Sequence, residues 1–159
     1  MHEDAKRLIR ELGLRPHPEG GYFTEAYRSR NRVGADADAR SALTSIYYLL
    51  TGDDFSAFHR LSSDELWHHY EGSDVAIECI DADGGHRQLV IGGTGARQAA
   101  IPPGVWFAAH LTDAAGYSLV GCDVAPGFEY EDFEIASRTG LCGVYPRHAA
   151  LIERLTRAE

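Results

Sequence analysis

Residues 58–72 read FHRLSSDELWHHYEG and hold more chemically active side chains than any other segment of similar length. The polar Ser62-Ser63-Asp64 between two mixed apolar and polar runs predicts two strands joined by a turn. Such a turn would bring the His59 strand beside the Glu65 strand, with an imidazole and a carboxylate on one inner wall. This pair suits acid–base catalysis or the binding of a metal ion.

Strand alternation limits how many of these side chains can share one cavity. On a regular strand, residues 65, 67 and 69 point one way and residues 66, 68 and 70 point the other way. The adjacent His68 and His69 therefore cannot both face the same cavity. One of them is expected to lie outside it.

The remainder of the chain predicts a barrel built from short strands. Between Leu43 and Ala125, runs of about five to nine residues alternate with turns rich in Gly, Asp and Pro, which is typical of an antiparallel sandwich or barrel. Apolar spacing predicts a helix from Asp4 to Leu12, and Pro146 is expected to begin a final helix. The PEGGYF segment at 18–23 is interpreted as a turn that closes over the barrel mouth.

Length and charge exclude several classes of protein. A chain of 159 residues with 44% hydrophobic residues is predicted to form one domain, residues 1–159. The net charge of −9 argues against nucleic-acid binding, which needs a clustered basic face. No apolar run is long enough for a signal peptide or a membrane span, so we expect a cytoplasmic protein without a membrane partner.

Several motifs resemble those of one protein family. His59, Glu65 and the six-residue gap to Gly72 are similar to the first cupin motif, and Pro102-Pro103-Gly104 is similar to the turn of the second. HPEGGYF, SDELWH, IPPGVWFAA and PGFEYEDFE occur in order and resemble an uncharacterised subfamily of the cupin superfamily, for which a sugar-epimerase-like nature has been suggested. The resemblance implies an all-β double-stranded β-helix (jelly-roll barrel) with short N- and C-terminal helices, a deep pocket and a homodimer. Trp67-His68 also matches the tryptophan–histidine pair of the subfamily, which makes His68 the third catalytic candidate beside His59 and Glu65.

The sequence departs from the cupin pattern at two metal-ligand positions. Leu61 and Phe107 stand where the motifs place histidines. Because catalytic sites of the zinc type generally use three protein ligands, we assign no cofactor. If a divalent transition metal is bound, its expected ligands are His59 and Glu65 together with His68, His69 or His110.

Other residues are candidates for ligand binding. Arginine pairs well with carboxylate or phosphate groups, which makes Arg28 and Arg60 candidates for an anionic ligand, although each could equally form a surface ion pair. Aromatic side chains could wall the pocket, although in strands they are more often plain core. The aromatic candidates are Tyr22, Tyr47, Trp67, Trp106 and Phe107.

Three functions are consistent with these residues. The first is an epimerase or isomerase in which His59 acts as general base and Glu65 orients or protonates a sugar nucleotide or other small anion. The second is a module that binds a small molecule without converting it. The third is a metal-dependent dioxygenase or isomerase. Fold alone does not decide among them, so whether the protein is an enzyme stays open at this stage.

Overall fold

The computed structural model describes all 159 residues and contains thirteen strands and three α-helices. The helices are α1 (Glu3–Leu12), α2 (Arg138–Val144) and α3 (Ala149–Arg154). The strands are β1 (Arg15–Pro16), β2 (Tyr22–Arg28), β3 (Arg32–Val33), β4 (Arg40–Ser41), β5 (Thr44–Thr51), β6 (Phe55–Leu61), β7 (Asp64–Gly72), β8 (Val75–Ile80), β9 (His86–Ile91), β10 (Gln98–Ile101), β11 (Trp106–Leu111), β12 (Tyr117–Ala125) and β13 (Phe133–Ile135).

Two antiparallel sheets form the barrel. One has the strand order β1-β2-β5-β12-β7-β10 and the other has the order β13-β6-β11-β8-β9, while β3 and β4 form a separate ribbon. Consecutive strands often lie in different sheets, as β5 and β6 or β6 and β7 do, which is the connectivity of a jelly roll. The predicted all-β jelly-roll fold is therefore confirmed.

The inner faces of the two sheets bury the main hydrophobic core. Trp67 of β7, Ile77 of β8 and Phe107 of β11 are at most 1% exposed and pack with other inward residues. The outer faces are covered by helices. Leu8 of α1 packs with Leu49, while Ile152 of α3 covers the opposite sheet. Helix cover on this side buries Ile80 of β8, while Ile77 and Cys79 of the same strand face the core.

The helices agree partly with the sequence prediction. Helix α1 ends at Gly13, which has a left-handed φ of 65° suited to glycine. Pro146 begins a 3₁₀ turn that leads into α3, but α2 was not predicted, because Gly140 and Gly143 weaken its helical pattern. The longest helix, α1, has ten residues, and no helix has the length and apolar character needed to cross a membrane.

Candidate active site

A cavity of about 280 Å³ opens at one end of the barrel. Its buried end contains Glu19, His59 and Glu65, which are all less than 9% exposed. Exposed residues, including Arg15 and Arg28, form its rim. The walls between the two ends are apolar and are formed by Phe23, Ile46, Leu61, Val124, Phe128 and Phe133. Polar groups are therefore concentrated at the floor and the rim.

The floor of the cavity contains a carboxyl–imidazole pair. His59 Nδ1 lies 2.7 Å from the carbonyl oxygen of Ala57, which can only accept, so Nδ1 carries a hydrogen. Nε2 of the same ring lies 3.2 Å from Glu19 Oε2. The other oxygen of Glu19 accepts a hydrogen bond from Ser56 Oγ at 2.8 Å. A single proton between Glu19 Oε2 and His59 Nε2 satisfies both atoms.

Burial determines on which side of this pair the proton rests. It lowers the pKa of His59 from 6.5 to about 4, and it raises the pKa of Glu19 above its usual 4.5. Both shifts favour the uncharged form, in which the Glu19 carboxyl group donates a hydrogen bond to His59 Nε2. The pair has no net charge in either tautomer, so moving the proton changes dipoles and leaves the total charge of the floor unchanged.

Glu65 adds a second neutral carboxyl group to the floor. It lies near the start of β7, is 7% exposed and points into the cavity. Burial raises the pKa of Glu65 to about 8, and the like charge of Glu19 acts in the same direction. At neutral pH this side chain is a carboxylic acid that can donate a hydrogen bond.

The turn at residues 17–21 positions Glu19. The amide of Ala57 donates to Glu19 O at 2.8 Å, which docks the turn on β6. His17 Nδ1 accepts the amide N–H of Glu19 at 3.2 Å. Gly21 has φ +72°, and a Cβ there would lie 2.7 Å from Leu49 O, so only glycine lets the turn approach β5 this closely.

The two arginines at the rim differ in their availability. Arg28 is held by Glu25 at 2.8 Å and by Glu129 at 2.9 Å, so its charge is already matched by two carboxylates. Arg15 makes no ion pair, and its guanidinium lies 5.2 Å from the centre of the Phe23 ring. Arg15 is therefore the rim cation with charge free for a ligand, although the sequence had pointed to Arg28.

Three of the residues selected from sequence line the cavity, namely His59, Glu65 and Arg28. His68 does not, because alternation along β7 turns it to the outer face, where Nε2 contacts Asp123 Oδ2 at 2.9 Å. The expectation that His68 shares the cavity is corrected accordingly. Arg60 also points outward, where it pairs with Glu134 at 2.7 Å.

The predicted aromatic lining is likewise corrected. Trp67 and Phe107 belong to the core, and the Phe107 ring packs against His59 with centroids 4.1 Å apart. Tyr22 packs with the residues under α1, and Trp106 contacts Arg60 and the C-terminal helices. Tyr47 faces outward, 6.0 Å from the ring of Tyr70. Phe23, Phe128 and Phe133 line the cavity instead.

The candidate metal ligands do not converge. His69 Nε2 contacts Ser73 O, and His110 Nε2 contacts Glu78 on the outer face of the other sheet. Neither meets His59, and no group of three His, Cys, Asp or Glu side chains has a geometry that could hold a metal ion. The ligand set that we considered from sequence is therefore not assembled, and we derive no step through a metal.

Glu19, His17 and Arg15 are the site residues that sequence reasoning missed. All three lie in or beside the HPEGG segment, which the sequence indicated only as a turn over the barrel mouth. The signal in the sequence that could have indicated Glu19 is the presence of a glutamate inside a turn that was predicted to cover the pocket. Its approach to His59 depends on packing between segments 40 residues apart, which no local pattern reveals.

Fold and site together define a cupin barrel with an acid–base cavity. A family model described as Cupin superfamily (DUF985) matches residues 6–136, and the chain belongs to this family. A solved structure from Shewanella oneidensis is 36% identical, with a TM-score of 0.90 and 98% of both chains covered. A hypothetical protein from Leishmania major is also 36% identical, with a TM-score of 0.89 and coverage of 97% of this chain and 99% of that one.

More distant structures share the fold alone. Oxalate decarboxylase from Bacillus subtilis is 13% identical with a TM-score of 0.61, and the match covers 91% of this chain and 37% of that chain. No functionally curated protein matches the sequence.

Proposed function

We propose that this cupin is an enzyme of the isomerase or epimerase type, which moves a proton at a carbon atom beside a carbonyl group. The observation that carries the proposal is the buried Glu19–His59 pair, whose facing atoms are 3.2 Å apart, a distance at which one proton can pass between them. Beside it, Glu65 is a neutral acid with a pKa of about 8. Enolisation needs one group that removes a proton and another that stabilises an oxyanion, and the Glu19–His59 pair and Glu65 supply these two roles.

Glu19 is the group that removes the proton in this proposal. Both ring nitrogens of His59 are already engaged, so the imidazole acts through Glu19. Transfer of the shared proton from Glu19 Oε2 to His59 Nε2 leaves a carboxylate beside an imidazolium. The carboxylate takes the proton from the substrate carbon, and the electrons of the C–H bond move onto the carbonyl oxygen. The positive charge left on His59 balances the enolate.

Glu65 stabilises the enolate. Its carboxylic acid donates a hydrogen bond to the oxyanion, and it does so in a buried site where such bonds are stronger than in water. Return of a proton to the opposite face of the same carbon gives an epimer. Where that carbon carries a hydroxyl group, its proton moves to the former carbonyl oxygen, and return of the carbon-bound proton to the former carbonyl carbon gives an isomer. No electrons are gained or lost, and no further reactant is needed.

Deuterium exchange tests the proposal. Wild type is incubated in D₂O with a panel of oxo acids, aldoses and a nucleotide sugar, and incorporation at the α-carbon is measured by NMR. We expect exchange with at least one compound, and a decrease of about 10² to 10⁴-fold in Glu19→Gln. Glu153→Gln is the matched control, because this glutamate is exposed on α3 and makes no side-chain contact with a partner.

The opposite result is equally specific. A compound that binds in the cavity and is recovered without deuterium would favour the non-catalytic binding module. Exchange that is unchanged in Glu19→Gln would remove the Glu19–His59 pair from the mechanism.

A further inference from the structure

We infer that the cavity takes a compact monoanion with an apolar body and an oxo group at the end remote from its charge, rather than a nucleotide sugar. The position of the oxo group rests on the proposed function, since it is the group that the floor would act on. The charge and the apolar body follow from the rim and the walls alone.

The free charge at the rim matches a single anionic group. Arg15 and Arg28 are the arginines that line the cavity, and Arg28 is engaged by Glu25, Glu129 and the carbonyl oxygen of Phe128. Arg15 remains, with its guanidinium beside Phe23. The diphosphate of a nucleotide sugar would meet one available cation and the carboxylates of Glu25 and Glu129. A single carboxylate or phosphate group, in contrast, can pair with the guanidinium of Arg15.

The walls favour a hydrocarbon body over a sugar ring. Phe23, Phe128 and Phe133 lie between rim and floor with three aliphatic side chains. The polar groups besides the floor and the rim charges are few. Thr44 Oγ1 already accepts the amide N–H of Phe128 at 2.9 Å, and His17, Cys122 and Tyr130 complete the lining. A sugar ring carries more hydroxyl groups than these side chains can pair, so some of them would lose water here without gaining a partner.

The size of the cavity leads to the same class of ligand. Its volume of about 280 Å³ lies just below the range of about 300–1,000 Å³ that is usual for ligand pockets. A small acid can be enclosed there. A nucleotide sugar would leave its base and ribose outside, beyond the described walls.

The direction of the cavity fixes the order of the groups in the ligand. Arg15 is exposed, whereas the side chains of Glu19 and His59 are 8% and 3% exposed, so charge is recognised at the opening and chemistry occurs at the closed end. The anionic group and the oxo group therefore lie at opposite ends of the molecule. A 2-oxo acid, whose carboxylate adjoins its carbonyl, has both groups at the same end and does not have this order.

Calorimetric titration with three probes tests the inference. The probes are 4-acetylbenzoate, which has the inferred order of groups, acetophenone, which lacks the carboxylate, and uridine diphosphate glucose. We expect 4-acetylbenzoate to bind more tightly than either of the others. Arg15→Gln should weaken its binding by about tenfold to a hundredfold, the effect of losing one charge-assisted contact, and should leave acetophenone unchanged.

Arg10→Gln is the matched control, because Arg10 is exposed on α1, is absent from the cavity lining and should not alter binding. Both arginines are exposed, and a thermal melt establishes that each variant folds. The inference is overturned if uridine diphosphate glucose binds more tightly than 4-acetylbenzoate, if none of the probes binds, or if Arg15→Gln binds 4-acetylbenzoate as wild type does. The titration measures binding without turnover, so its result does not decide the proposed function. That function is tested separately by deuterium exchange.

Discussion

Two clusters of glutamate and histidine lie on opposite faces of the five-stranded sheet and have opposite electrostatic character. On the inner face, Glu19 meets His59 at the floor of the cavity. On the outer face, Glu78 of β8 accepts hydrogen bonds from His86 at 2.6 Å, Gln88 at 2.7 Å and His110 at 3.0 Å. The side chains of Glu19 and Glu78 are similarly hidden, with 8% and 3% exposure.

The balance between burial and hydrogen bonding, rather than the exposed area alone, explains the difference. Burial acts to raise the pKa of Glu78, but the hydrogen bonds from His110, Gln88 and His86 outweigh it and the pKa falls below 4.5. For Glu65 and Glu19 burial outweighs the hydrogen bonds that they accept, and their pKa values are raised. A fully satisfied carboxylate fixes structure, whereas an under-satisfied one retains a proton that it can transfer.

The largest effect on stability should be the pH dependence contributed by Glu65. Its pKa is about 8 in the folded protein and 4.5 ordinarily, so between these values the folded state holds a proton that the unfolded state has lost. This contribution to the free energy of unfolding is complete below pH 4.5 and is lost as the pH rises through about 8. Glu65→Gln should remove it, at up to about 1.4 kcal/mol per pH unit.

Urea denaturation of wild type and Glu65→Gln at pH 6.5, 7.25 and 8 measures this effect. This pH range avoids the contribution of His59. Because the pKa of His59 is lowered to about 4, the unfolded state binds a proton between pH 4 and 6.5 that the folded state excludes, and the free energy of unfolding rises with pH there. The wild-type advantage over the variant should shrink as the pH rises. If the difference in free energy of unfolding between wild type and variant does not change with pH, Glu65 is ionised in the folded protein. Glu65 would then not differ from Glu78 in its charge state.

The same substitution in the outer cluster should have a smaller effect, measured at pH 7. Glu78→Gln removes a charge and leaves donors from His110 and His86 imperfectly paired, which should lower the free energy of unfolding by about 1–3 kcal/mol at pH 7. Deuterium exchange should be unchanged, because Glu78 is separated from the cavity by the sheet. Loss of exchange in Glu78→Gln, with stability retained, would show that the outer cluster takes part in the chemistry.

The fold was accessible from sequence because its signals are local. Regular spacing of turns between Leu43 and Ala125 gives the strands, and alternation within them separates core from surface. His59 and Glu65 do share one cavity, as the sequence predicted, but not as neighbours on one wall. The short turn leads from β6 into β7 of the other sheet, so the two side chains reach the cavity from different sheets. Helix α2 was missed because its two glycines have low helix propensity, and the helix is stabilised by tertiary packing that the local sequence does not show.

The remainder of the site depends on contacts between distant segments. Glu19 reaches His59 only when the turn at 17–21 docks on β6, and Arg28 is neutralised by a glutamate 101 residues later in the chain. Alternation in the sequence predicts to which face of its strand a side chain points. It does not predict which residue of a distant segment will contact that side chain. Arg28 and Arg60 were therefore named as candidates for an anionic ligand, with a surface ion pair as the alternative that the structure shows for both, and Arg15 was overlooked.

The smallest effect is expected at His68, a histidine–carboxylate contact that lies outside both clusters. Its Nε2 lies 2.9 Å from Asp123 Oδ2, but both side chains are about 30% exposed, so water screens the interaction. His68→Asn should change the free energy of unfolding by about 0–1 kcal/mol and leave deuterium exchange at the wild-type rate. The comparison with His59→Asn is direct, since the same substitution at the cavity floor removes the proton acceptor of Glu19. If His68→Asn lowered exchange as strongly as His59→Asn, burial and position in the cavity would not be what distinguishes the functional histidine.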